Sequence, residues 1–265
     1  MPLLMLTRLD LLAAATAATA AGAVGALGFS MLSLGLPAAL FVALFADGIV
    51  RPRSSVLYPT LSHGPRNGKR VALSFDDGPD PEVTPAVLDA LAKHGARATF
   101  FTIGRSLESH PQLGRRLLLE GHELGNHSWR HSRWQNLLDT DGQAREIEAG
   151  AQAIMALTGS HAQPLYRPPI GLKSPPLARA AYQQRLTLVA WSLHSHDTRT
   201  ADPQRISQRV LERIKPGDIV LMHDGHDLPG QHRPACARAL PSILRGLSEN
   251  GLDCVTVSEL LQLSH

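Results

Sequence analysis

From residue 11 to residue 46 the chain carries no charged side chain. As a helix rising 1.5 Å per residue that run would be roughly 54 Å long, against a hydrocarbon core of about 30 Å. One straight span leaves a large excess. The run divides where Ser30, Ser33, Gly35 and Pro37 gather. Its first half, LLAAATAATAAGAVGALG, is rich in alanine; its second half, LPAALFVALF, is shorter and more apolar. It reads as a hairpin of two spans, as one span beside a buried or interfacial segment, or as a signal peptide cleaved near the alanines. A thin basic leader, Arg8 offset by Asp10, argues against the signal peptide. Residues 1–50 are therefore expected to form a membrane segment.

The charges that follow set an orientation. Arg51, Arg53, Arg66, Lys69 and Arg70 come after the run, while Arg8 and the amino terminus precede it. The positive-inside rule then favours the cytoplasm for the C-terminal side. A hairpin puts both ends there, whereas a single span puts the main domain outside, against the charge bias. The expectation is a protein of a bacterial-type inner membrane with its main domain facing the cytoplasm; a periplasmic or extracellular domain is the alternative. Residues 51–68, with Pro52, Pro59, Gly64, Pro65 and Gly68, read as a linker. Residues 69–265 remain for one domain.

Of the 265 residues, 43% are apolar and 18% charged, which excludes a disordered chain. A net charge of +3, dispersed along the sequence, gives no footprint for nucleic acid. Cys236 and Cys254 are too few for a disulfide scaffold or a cysteine-rich zinc site, and whether they pair stays open. Beyond residue 68, strand patterns at 69–75, 98–103, 123–126, 186–191, 218–223 and 254–257 alternate with helical ones at 83–94, 111–120, 141–157, 203–214, 234–250 and 258–263. Leu117, Leu118 and Leu119 are assigned to the core. The alternation predicts an α/β fold with parallel strands, a distorted or incomplete TIM-like (β/α) barrel.

In such folds chemistry gathers at the C-terminal ends of strands. Asp76 and Asp77 follow the first strand, His127 the third, and Arg167 a short one at Leu165 and Tyr166. Residues 194–197 follow the fifth, and His223 and Asp224 the sixth. His127 and His131, four apart, fall on one face of a helical turn and can share a metal ion. Zinc then needs a third protein ligand and an open position, and Asp76-Asp77 offers two carboxylates, one to ligate and one to act as base. An Asx-turn or a helix cap is the plainer use of such a pair. His194, His196 and His226 lie beside the rim. His63, His94, His110, His161, His232 and His265 read as loop or helix-end residues, and His122 as structural. Trp129 and Trp134 suit loop packing better than sugar stacking.

Ser74-Phe75-Asp76-Asp77-Gly78-Pro79, His127-Ser128-x-x-His131, Arg167-Pro168-Pro169-Ile170-Gly171 and Leu221-Met222-His223-Asp224 occur in that order. Together they resemble the motifs of the polysaccharide deacetylases with a NodB homology domain, carbohydrate esterase family 4, over residues 69–263. The resemblance implies a metal-dependent hydrolase that removes an N- or O-acetyl group from a sugar. It makes Asp76 the general base and His223 the general acid. Asp77, His127 and His131 become ligands of one divalent ion, zinc before cobalt, manganese or nickel. Arg167 would pair with the base, and Asp197 would orient Arg167. Pro169, Ile170, Trp191 and Leu221 would meet substrate, the Ile170 N–H at the oxyanion. Ile170 stands where the family often has Tyr, His194 replaces an Asp and Thr198 a Trp. The partners implied are an N-acetylated sugar, as a glycan or linked to a lipid, and the membrane. A non-catalytic carbohydrate-binding module on the same fold is the other class.

Overall fold

The computed structural model describes residues 8–28, 31–159, 165–228 and 230–262; His161 and His265 lie outside them. Helices α1 (Arg8–Leu27) and α2 (Met31–Val50) come first and pack against one another. Within them, 8–26 and 33–50 are long and apolar enough to cross a membrane. Strand β1 (Thr60–Leu61) and strand β2 (Arg70–Asp76) follow. Then come α3 (Thr84–Lys93), β3 (Thr99–Thr102), α4 (Gly104–Ser109), α5 (Pro111–Leu119), β4 (Glu123–Asn126), α6 (Thr140–Thr158) and α7 (Pro175–Gln184). The chain closes with β5 (Leu188–Val189), β6 (Leu193–His194), α8 (Pro203–Leu211), β7 (Ile219–His223), α9 (Pro234–Glu249), β8 (Asp253–Cys254) and α10 (Val257–Leu261).

The central strands are apolar on both faces, as parallel strands covered by helices must be. Every residue of β2 except Arg70 is buried, as is all of β3 and β7. They pair in parallel in the order β4-β3-β2-β7-β6, with β8 added to the start of β2. Tyr166 bridges Asn126 on one side and Leu188 on the other, so it joins β4 to β5, and β5 pairs with β1. This register puts Asp76 beside Phe101 and His223, at the C-terminal ends of their strands. The stacked rings of Phe75 and Phe100, 5.0 Å apart, hold β2 to β3.

Helices begin where a side chain can take the free backbone donors. Asp139 caps α6, Ser174 caps α7 ahead of Pro175, and Thr256 and Glu259 form a reciprocal capping box at α10. Leu117 on α5 is buried, but Leu119 is 88% exposed. The expected three-leucine core is thus reduced by helical periodicity, which turns consecutive residues to different faces.

The expected linker is folded into the domain. Leu57 and Tyr58 are buried, and Tyr58 Oη donates to the Leu186 carbonyl at 2.7 Å. Residues 60 and 61 form β1. Phe45 and Ile49 of α2 pack against the same cluster, which contains Leu57, Tyr58, Tyr166 and Leu188. Two adjacent apolar side chains, Leu57 and Tyr58, give this Pro- and Gly-rich stretch a buried anchor that outweighs its turn chemistry. Truncating Leu57 to Ala should therefore cost about 2–5 kcal/mol of unfolding free energy. Urea titration of the full chain measures this; a leucine in a tether would cost nothing.

Candidate metal and acid–base centre

Strand β2 ends in two carboxylates with different surroundings. Asp77 sits at φ 73, in the left-handed region that Asp tolerates better than most residues. The turn beyond it is fixed from below. A Cβ on Gly78 would collide with the Asp224 carboxylate, so only glycine fits there. Asp224 is buried, and burial pushes its pKa up to about 7 against the opposing hydrogen bond from Thr84 Oγ1 at 2.6 Å. The Asx-turn suspected for the Asp pair belongs instead to Asp80, whose Oδ1 accepts from the N–H groups of Glu82 and Val83.

His127 and His131 follow β4 in a loop, not on a helical turn as their spacing suggested. Ser128 and His131 both have positive φ, at 68 and 53. Side chains hold the kink: Asn126 Oδ1 accepts from Ser128 N–H at 2.9 Å, and Ser128 Oγ from His131 N–H at 3.0 Å. The two rings come to 4.7 Å between centroids.

Asp77 Oδ1 lies 3.6 Å from His127 Nε2 and 3.3 Å from His131 Nε2. One ligand atom from each of the three buried residues falls within 4.8 Å of the others. Asp77 Oδ1 is buried without any hydrogen-bond partner, while Oδ2 accepts from Arg233 Nη1 at 2.7 Å. An orphaned carboxylate oxygen beside two imidazole nitrogens fits a divalent ion, whose ligands zinc takes from this set. His127 Nδ1–H donates to the Arg167 carbonyl at 2.7 Å, which leaves Nε2 as the ligating atom. Burial, then the neighbouring His131, holds His127 well below the usual histidine range, so its ring is neutral.

Arg167 is wholly buried. Its Nη1 donates to Asp76 Oδ1 at 2.6 Å and to Ser74 Oγ at 2.9 Å. Nε and Nη2 donate to the carbonyls of Val189 and Ala190. Asp197 does not orient Arg167 as expected; it holds His223. Its Oδ1 accepts from His223 Nδ1–H at 2.9 Å and its Oδ2 from the His223 backbone N–H at 2.7 Å. Nε and Nη2 of Arg167 turn instead to the carbonyls of residues 189 and 190, and both Asp197 oxygens are met by donors of His223. Burial opposes a charge on His223, but the charge and hydrogen bond of Asp197 outweigh it and push the pKa up to about 9.

These groups meet in one open cavity of 460 Å³ lined by Asp76, Asp77, His127, His131, Trp191 and His223, among others. Ile170 and Leu221 line it as anticipated, whereas Pro169 is buried and does not. Ile170 has φ 50, an uncommon backbone for a β-branched residue. His194 and Thr198, the other two replacements, also face the cavity. His194 Nδ1 accepts from His196 N–H at 3.0 Å, and burial lowers its pKa to about 4. A neutral ring with Nε2–H as donor results. His122 is structural as expected, its Nδ1 accepting from Ala98 N–H. His232 is not a plain loop residue; it pairs with Asp80 at 2.8 Å. Trp129 packs on Gly104, and Trp134, 75% exposed, stands outside the lining.

The sequence reading missed Arg133, Arg233 and Asp227. Arg133 and Arg233 both pair with Asp227, and all three line the cavity. No fixed spacing ties them to the other motifs; their one signal was the second Asp of HDGHD.

A sequence profile described as polysaccharide deacetylase matches residues 63–189. A peptidoglycan-N-acetylglucosamine deacetylase of Bacillus cereus is 39% identical over 203 residues, 76% of this chain and 92% of that one. A chitooligosaccharide deacetylase of Azorhizobium caulinodans is 34% identical over 162 residues, 60% of this chain and 76% of that one. A crystal structure of a peptidoglycan N-acetylglucosamine deacetylase bound to a naphthyl N-hydroxybenzamide superposes with a TM-score of 0.71 at 32% identity, covering 77% of this chain and 94% of that one.

The geometry separates ligand from neighbour. Asp77→Asn and His131→Ala should each weaken zinc binding by far more than the roughly 10–100-fold typical of a group one shell out, and Asp76→Asn should leave it within that range. Calorimetric zinc titration checks this, and the reverse ranking would exchange the two carboxylates.

Proposed function

The chain belongs to the polysaccharide deacetylase family, and on that premise we propose that it is a metal-dependent hydrolase removing the N-acetyl group from an N-acetylglucosamine-type sugar. The observation that carries the reading is the orphaned Asp77 Oδ1 between two histidines, in a cavity flanked by an Asp–Arg pair and an Asp–His pair. Asp77, His127 and His131 would hold the ion. When bound, a zinc ion polarises a carbonyl and lowers the pKa of water. Asp76, held through Oδ1 by Arg167, would take a proton from the attacking water. His223, charged below about pH 9, would hand one to the departing amine. The backbone at Ile170 would meet the developing oxyanion, an interaction worth about 3 kcal/mol. A merely sugar-binding module has no use for a base and an acid each held by its own counter-charge.

The reading extends to architecture. The pairings from β6 through β7, β2, β3, β4 and Tyr166 to β5 and β1 support a distorted, incomplete barrel. Residues 51–68 go with the catalytic domain, and 1–50 form the membrane hairpin. Two spans return the chain to the side where it started, and the basic residues after Val50 favour the cytoplasm. A C-terminal reporter fusion tests this: alkaline phosphatase activity there, with a silent cytoplasmic reporter, would move the domain outside.

Two measurements test the chemistry. Asp76→Asn should lower kcat for deacetylation by about 10²–10⁴ with metal retained. The alkaline limb of kcat/KM should follow His223, since the acid is lost as pH rises through about 9. Removing the charge that raises that pKa, in Asp197→Asn, should move the limb to lower pH. An unmoved limb would take the acid role from His223.

A further inference from the structure

We infer that the substrate is an N-acetyl sugar borne on a bilayer lipid and presented to the pocket at the membrane surface. The inference rests on the deacetylase reading above and on α1–α2 lying in the membrane.

The candidate span in α2 ends at Val50. One residue earlier, the Ile49 carbonyl accepts from Lys173 N–H at 3.2 Å. The Lys173 ammonium is buried and donates to the next carbonyls of the chain: Arg51 at 3.1 Å, Pro52 at 2.5 Å and Ser54 at 2.8 Å. Three acceptors satisfy the three donors of an ammonium, which is what a buried one requires. Gly171 completes the joint. A Cβ there would lie 2.9 Å from Pro52 Cγ and 2.5 Å from the Trp191 ring, so the loop rests directly on Pro52. Ile170 and Gly171 line the reaction cavity. One wall of the pocket is thus bolted to the chain where it leaves the bilayer.

This joint removes slack. A free tether over residues 51–68 could span roughly 60 Å when extended. Here that segment is packed into the domain through Leu57, Tyr58 and β1. The pocket cannot range outward to a distant polymer; it stays at the membrane surface. Exposed apolar side chains suit that position. Ile170, Trp134 and Leu137 are 49%, 75% and 77% exposed. The loop carrying the last two is tied by Gln135 to Tyr166 Oη, and Tyr166 belongs to the cluster on which Phe45 and Ile49 dock. Tryptophan favours the bilayer interface, and exposed Arg51 and Arg53 suit its headgroup layer.

The test uses the full-length protein in phosphatidylethanolamine–phosphatidylglycerol vesicles and measures acetate release. One substrate is N-acetylglucosamine joined by a diphosphate to a polyprenol in the same vesicles. The second is the same headgroup on a chain too short to insert, and the third is soluble tetra-N-acetylchitotetraose. The bilayer-borne sugar should show a kcat/KM about 10-fold or more above both soluble substrates, because both partners share one surface. Equal or lower efficiency would overturn the inference, even with chitotetraose cleaved. The double variant Trp134→Ser, Leu137→Ser should lower the bilayer-borne rate about fivefold and leave the short-chain analogue unchanged. Equal losses on both would assign these residues to the sugar and overturn the lipid contact. No acetate from any substrate, nor from an activated aryl acetate, would sink the deacetylase reading itself.

Discussion

The buried guanidinium of Arg167 is the contact on which the site depends. Its side chain reaches β2 at Ser74 and Asp76, and the end of β5 at Val189 and Ala190. Its backbone N–H donates to Asn126 at the end of β4, and its carbonyl accepts from His127. The ring of Phe101 on β3 covers it at 3.9 Å. One residue therefore sets the spacing of four strands at the rim and aims both a carboxylate and an imidazole. A buried charge survives only when paired and fully hydrogen-bonded, and breaking such a pair costs about 3–5 kcal/mol. Burial does depress the Arg167 pKa, with Asp76 opposing the shift. The same penalty that makes the arginine expensive makes its geometry exacting, because no looser arrangement satisfies it.

Opposite Arg167, the Asp197–His223 pair does the complementary work. Each reactive group has its own counter-charge: arginine for the carboxylate, aspartate for the histidine. Between them stands a carboxylate oxygen with no partner. A fold could relieve that deficit with a nearby hydroxyl or a backbone N–H, yet Arg233 takes only Oδ2. The unmet acceptor, rather than any ion pair, makes Asp77, His127 and His131 a candidate cation site.

Much of this was legible because strand ends and chemistry coincide. Asp76 and His223 end β2 and β7, and His127 and Arg167 directly follow β4 and the Tyr166 bridge. Three kinds of feature were not legible. Short strands such as β1 and β6 have too few residues to show a period of two, and β1 hid among prolines and glycines. The HxxxH spacing suggested a helix, but two positive-φ residues held by Asn126 and Ser128 replace it, and spacing alone cannot distinguish the two. The partner of Asp197 was a question of three-dimensional reach: its strand-end position puts the carboxylate at the same rim as Arg167 and His223, and only the folded chain places it on His223. Helix α7 was missed although Ser174 before Pro175 is a recognisable start signal. Arg133, Arg233 and Asp227 lay outside any motif.

The departures at the rim fall along one arc. Ile170, His194 and Thr198 replace a tyrosine, an aspartate and a tryptophan of the usual motifs, and all three line the same cavity. The exchange removes two large aromatic surfaces and one negative charge. His194 remains neutral, with its tautomer set by His196 N–H, so it offers one directed donor where an acceptor would otherwise stand. A wall with fewer aromatic faces is poorer at gripping a stack of pyranose rings along a polymer. On the proposed reading it would retain what is needed to orient one sugar: a donor at His194, the backbone turn at Ile170, and Asp76 and His223 at fixed positions. On that reading such a site would gain its effective concentration of substrate from where it is held rather than from a long binding groove, and Lys173, by fixing its loop to the chain just after α2, would supply the holding.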